Sequence, residues 1–218
     1  MRVGIICAGV VGCLVGCMVT VMAQNARPPL NLAGDRFKPL VYEEMTPEQK
    51  KLTDDIMNSE RKSMGGPFNA LLRSPAMGDL AQQLGTQMRF HSSLPRRLNE
   101  LAVIMTARHW TAHYEWYAHK RDALAAGLNP AIVDAVAAGR RPTGMQPDEE
   151  AVYAFCDELL NKKQVSDATF AAAVKAFGER GVVDLIGVSG YYGLVSMLLN
   201  VDRHPLPAGV KPELQPLK

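Results

Sequence analysis

The sequence predicts an all-α domain, on three observations. Helix-start signals recur, with Thr46-Pro47, Ser74-Pro75 and Asn129-Pro130 each placing a capping residue before a proline. No segment alternates apolar and polar residues between hairpin turns, so no strand is expected. The composition is 47% hydrophobic but only 6% aromatic, which calls for a core of Ala, Leu, Val and Met. Together these give one unit of about seven to nine helices.

The chain opens with Arg2 and then runs uncharged from Val3 to Met22, with Val21-Met22-Ala23 before Gln24. A basic start, an apolar run and a closing small residue read as an export signal over residues 1–23. The same run is long enough for an uncleaved membrane anchor. Leu14-Val15-Gly16-Cys17 also fits a lipidation site. Each of these readings places the protein outside the cytoplasm, in the periplasm or secreted, with membrane contact only through an uncleaved or lipidated N-terminus. Cys7, Cys13 and Cys17 fall inside the signal, which leaves Cys156 alone in a mature chain, without a disulfide or Cys-x-x-Cys partner.

Residues 24–44, with Pro28, Pro29 and Pro39, read as an extended lead-in to a helical domain over 45–200. Thr46-Pro47-Glu48-Gln49 combines an N-cap, a proline and a capping-box glutamine, starting a helix that runs to about Lys62, before Gly65-Gly66-Pro67. Ser74-Pro75 starts the next, with Met77, Leu80, Leu84 and Met88 along one side. Leu94-Pro95 opens a stretch lasting to Ala126, with Gly127 as its C′ residue. Asn129-Pro130 begins a short helix that Gly139 closes, and Pro147-Asp148-Glu149-Glu150 begins another with acids in its first turn. Ser166 caps a helix through about Phe177. Val182 to Leu199 forms a last one, whose Asp184, Ser189, Gly190 and Ser196 mark a core or subunit-contact helix rather than a membrane span. Residues 201–218 form a Pro-rich tail.

Charge excludes one class of partner. The chain carries 24 basic and 22 acidic residues, a net of +2, with no basic block, so no nucleic-acid partner is expected. Without residues 1–23, which hold only Arg2, the balance is 23 minus 22, or +1.

Candidate chemistry concentrates between Ala107 and His119. His109, His113 and His119 lie there with both tryptophans, Trp110 and Trp116. On a continuous helix Arg108, Ala112, Glu115 and His119 fall within about 60° of one another. Glu115 and His119 are an i, i+4 pair, the spacing that lets a carboxylate hold an imidazole tautomer and raise its pKa for acid/base work. The same spacing also serves as a surface pair worth a few tenths of a kcal/mol. His109 and His113 form a second i, i+4 pair, which without a third ligand is a weak zinc signal, and no metal is expected. On a straight helix Glu100 stands about 22 Å from Glu115, so it joins that site only through a chain reversal or from a second subunit. Tyr191 and Tyr192, between Gly190 and Gly193, are either a pocket wall or packing against the glycines.

Arg97-Leu98-Asn99-Glu100-Leu101-Ala102-Val103, Ala107-Arg108, the Glu115 to His119 stretch and Ala125-Gly127-Leu128 resemble the carboxymuconolactone decarboxylase family. Alkyl hydroperoxidase D is its other branch. The resemblance covers roughly 65–200, with 94–128 its specific core. It implies an all-α, AhpD-like helical domain in a homo-oligomer, trimeric or a multiple of it, with sites near subunit contacts. In the peroxidase branch's pattern Ala112 and Glu115 stand where its two cysteines belong, so a dithiol cycle has no sulfurs here. The decarboxylase branch, with its carboxylate–histidine pair, implies cofactor-free proton transfer beside a carboxylate or lactone of a small-molecule substrate. His119 would then shuttle the proton with Glu115 and Glu100, while Arg108, His113 and Trp116 bind the substrate. A ligand-binding protein on the same fold, and a peroxidase-type activity without the cysteine pair, are the alternatives.

Overall fold

The computed structural model describes residues 28–216, so the expected export signal lies outside the described residues. Among these, every regular element is a helix. A 3₁₀ turn at Tyr42–Glu44 precedes α1 (Pro47–Asn58), α2 (Phe68–Leu71), α3 (Pro75–Phe90), α4 (Arg96–His109) and α5 (His113–Ala125). Then come α6 (Pro130–Ala137), α7 (Pro147–Asp157), which runs into a π-helical turn at Glu158–Lys162, and α8 (Asp167–Asp202). The fold class is therefore all-α, as expected.

Local signals explain most helix starts. Thr46 Oγ1 accepts from the Gln49 amide and the Gln49 side chain accepts from the Thr46 amide, a complete capping box. Asn129 Oδ1 accepts from the Ala131 amide in front of α6, and Ser166 Oγ caps α8 through the Thr169 amide. Gly178, inside α8, has φ +69° and ψ 172°, a conformation essentially restricted to glycine. It divides α8 into the two helical stretches that the sequence suggests.

α4 is the central helix. α5, α7 and α8 pack against it, with α6 alongside. It is buried without interruption from Leu98 to Arg108, with Leu98, Leu101 and Ile104 fully inside. Burial of each such side chain contributes about 1.5–3 kcal/mol. A second cluster joins Leu52, Ile56, Phe68 and Leu72 from α1–α2 and the turn after it, and rests on Leu194 and Leu198 of α8.

Two expectations change here. Of the apolar side expected of α3 only Met88 is buried: Met77, Leu80 and Leu84 are exposed, and Gly78, Ala81 and Gly85 face inward instead. The small residues allow close approach, since a Cβ on Gly78 would stand 2.7 Å from Leu52 Cδ2. The stretch from Leu94 to Ala126 is also not continuous, because the chain reverses between α4 and α5. The Thr111 amide donates to the Arg108 carbonyl (3.0 Å) and the Ala112 amide to the Ala107 carbonyl (2.9 Å). This is a Schellman stop with Thr111, at φ +48°, in the place usually taken by glycine. Asn200 Nδ2 braces it from α8 by donating to the Trp110 carbonyl at 2.8 Å.

Candidate active site

The reversal at Thr111 folds α5 back along α4 and brings Glu100 to His119. Nδ1 of His119 donates to Oε2 of Glu100 at 2.7 Å, and Nε2 lies 3.3 Å from Oε1 of Glu115. The imidazole thus stands between two carboxyls, all three side chains about 95% buried. The Glu115 contact is within ion-pair distance but not aligned as a hydrogen bond, so Oε1 has no hydrogen-bond partner. The His119 ring meets Tyr192 edge-on at 4.8 Å, and Tyr192 meets Tyr191 in the same way at 5.1 Å.

Glu115, His119, Tyr191 and Tyr192 line a cavity of about 380 Å³, together with Arg61 and Arg89. Glu100 does not reach its wall and stands behind His119. Arg89 is paired with Asp122 at 3.0 Å. Arg61 stacks over Phe68 and reaches the Tyr191 hydroxyl at 3.4 Å. Among the described residues no carboxylate pairs with Arg61, and its Nε is buried without a partner. A free guanidinium and a buried proton-carrying pair therefore share one cavity.

Electrostatics favours a protonated pair. Burial alone would lower the His119 pKa, but Glu115 and Glu100 on its two sides outweigh it and raise the value. Burial raises the Glu115 pKa against the pull of His119. It also raises Tyr191, and Tyr192 more strongly, so both keep their hydroxyl protons near neutral pH.

The remaining expected site residues lie elsewhere. Arg108 is buried on the wall of a different cavity, because the break at Thr111 removes the shared helix face that placed it beside Glu115. His113 starts α5 off the cavity wall, with its Nδ1 buried and unpartnered. Trp116 is packed in the core, and its Nε1 donates to Glu213 of the C-terminal tail at 3.3 Å. His109 and His113 belong to different helices and are not an i, i+4 pair; His109 Nδ1 instead meets Asn161 Oδ1 at 3.1 Å. Ligand atoms of Glu100, His119 and Asp122 lie within 4.8 Å of one another and could hold a cation, although His119 Nδ1 and Asp122 are already engaged. Cys156 is fully buried away from the first cavity, and burial pushes its thiol up to about 12. Arg61 and Arg89 carry no local sequence signal. They reach the site from the end of the α1 segment and from α3, brought there by tertiary packing alone.

The class defined by this geometry is an all-helical AhpD-like fold with a buried Glu–His–Glu cluster, of which His119 and Glu115 line a cavity. No protein-family model matches the chain, and no curated protein matches it significantly. The fold matches the crystal structure of a protein of unknown function from Agrobacterium tumefaciens, a candidate antioxidant defence protein AhpD. That match has a TM-score of 0.56 at 14% identity, over 65% of this chain and 99% of the other. The likeness is one of fold, and it agrees with the fold that the sequence resemblance implies.

Proposed function

We propose that the protein is a cofactor-free acid/base lyase or isomerase acting on a small carboxylate or lactone. The observation that carries this reading is the His119 imidazole, held between Glu100 and Glu115, on a wall shared with the unpaired Arg61. Arg61, with Arg89 beside it, receives the substrate carboxylate, a bidentate match for guanidinium. The acidic carbon then lies toward Glu115 and His119. The member of the pair that lacks a proton takes one from carbon and the pair returns a proton to another carbon, or the proton already held by the pair goes to the carbon from which carbon dioxide has left. Glu100 stays off the substrate and positions the ring. The hydroxyls of Tyr191 and Tyr192 remain neutral donors for the developing enolate oxygen.

The test is consumption of γ-lactone carboxylates and β-oxo carboxylates by the purified protein. His119→Gln should reduce turnover by at least 10²-fold, and Arg61→Met should act mainly on KM. Undiminished turnover in His119→Gln would refute the assignment. A thiol peroxidase reading has little support, since Cys156 is buried and outside the cavity that holds His119.

Two further properties belong to this proposal. Export rests on the uncharged run after Arg2, and the N-terminal mass of the protein isolated from cells tests it. Assembly into a homo-oligomer would cover Met77, Leu80 and Leu84 along α3, Leu80 being 70% exposed. A monomeric mass in light scattering would contradict it.

A further inference from the structure

Arg108 presents a physical problem that the first cavity does not solve. It is only 6% exposed, yet among the described residues no carboxylate lies within the 4.0 Å of an ion pair. Its Nη1 makes one long contact, 3.4 Å, to Thr111 Oγ1, and its Nε has no partner. A guanidinium buried in this way is costly unless an anion compensates it.

The side chain lines a second cavity, of about 260 Å³, which shares no lining residue with the first. Arg140, exposed just after α6, lies on the same wall and has no ion pair among the described residues. The apolar part of the lining is Met105, Val136 and Leu160. Asp157 is the carboxylate on this wall, and it accepts from Asn161 Nδ2 at 2.8 Å rather than pairing with Arg108. Leu160 belongs to the π-helical turn that extends α7, an irregularity often found at functional sites. Two guanidinium groups without counter-ions beside an apolar lining fit one ligand chemistry.

We propose that this second cavity binds a small carboxylic acid with an apolar body, its carboxylate on Arg108 and Arg140 and its body against Met105, Val136 and Leu160. The volume suits a ligand smaller than a typical drug molecule. The site is independent of the acid/base reading, because it uses none of the residues of the first cavity.

Calorimetric titration with hexanoate tests the proposal, carried out in an Arg61→Met background so that the first cavity lacks its free guanidinium. Saturable binding is expected, with hexan-1-ol at least tenfold weaker. Adding Arg108→Met should weaken hexanoate about 10- to 100-fold, the loss of charge-assisted hydrogen bonds. It should leave the melting temperature unchanged or raised, because an unpaired buried charge is replaced by an apolar side chain of similar length. Arg140→Ala, a surface change that leaves packing intact, should weaken hexanoate severalfold and keeps the test decisive if Arg108→Met fails to fold. The proposal is overturned by no saturable binding, by equal affinity for hexan-1-ol, or by an affinity that neither substitution moves.

Discussion

Glu115 and Glu100 both raise the His119 pKa, and replacing Glu100 by Gln isolates the share of the hydrogen-bonded partner. The two groups meet at 2.7 Å with side chains 4% exposed, and Glu100 touches no part of the cavity. Gln keeps the shape and an acceptor for Nδ1, but removes the charge. A buried hydrogen bond to a charged group contributes about 1.5–3 kcal/mol. At 1.36 kcal/mol per pH unit, its loss should lower the His119 titration midpoint by about 1–2 units. Ring ¹⁵N shifts followed across pH measure this directly and need no substrate, with His119→Gln identifying the signal among the five histidines. A midpoint in Glu100→Gln within about 0.3 units of the wild type would contradict a role for the Glu100 charge. It would mean that Glu115 alone raises the ring's pKa.

Three other outcomes follow from the same structure. His119 and Glu115 both bind protons more tightly in the folded state, so their contribution is full at low pH. It is lost as pH rises above the ordinary carboxyl and histidine values of about 4.3 and 6.5 through the higher folded ones, and urea midpoints should fall less steeply with pH in His119→Gln; equal slopes would contradict this. Thr111→Gly removes a β-branched side chain from a left-handed position and should stabilise by about 1 kcal/mol, a rise of about 2–4 °C in melting temperature; a fall would show that the Thr111 hydroxyl matters more than the strain. Cys156, with its thiol held up near 12, should resist an aromatic disulfide reagent until the protein unfolds, and rapid native labelling would count against its burial.

Much of the fold is legible in the sequence because helix starts use short-range chemistry. Thr46, Asn129 and Ser166 announce their helices through side chains that cap amides two or three residues on. Gly127 and Gly139 mark stops through their positive φ. The reversal at Thr111 is hidden because a β-branched residue fills the C′ position, held there by Asn200 from far along the chain. From that one hidden stop come the misplacement of Arg108, the apparent pairing of His109 with His113, and the apparent distance between Glu100 and Glu115. The buried side of α3 is hidden for another reason. Its contact surface is built from Gly78, Ala81 and Gly85, which periodicity of large apolar residues does not register. Within the site, the Glu115–His119 pair is a local pattern, whereas Arg61 and Arg89 meet it only in three dimensions.

The central claim is that the Glu–His–Glu cluster moves protons to and from carbon. Incubation with γ-lactone carboxylates and β-oxo carboxylates in D₂O, followed by proton NMR, tests it most directly. The wild type should replace a hydrogen beside the carbonyl with deuterium faster than buffer, and His119→Gln should do so no faster than buffer. Exchange at the wild-type rate in His119→Gln, or none above buffer with any of these compounds in the wild type, would contradict it.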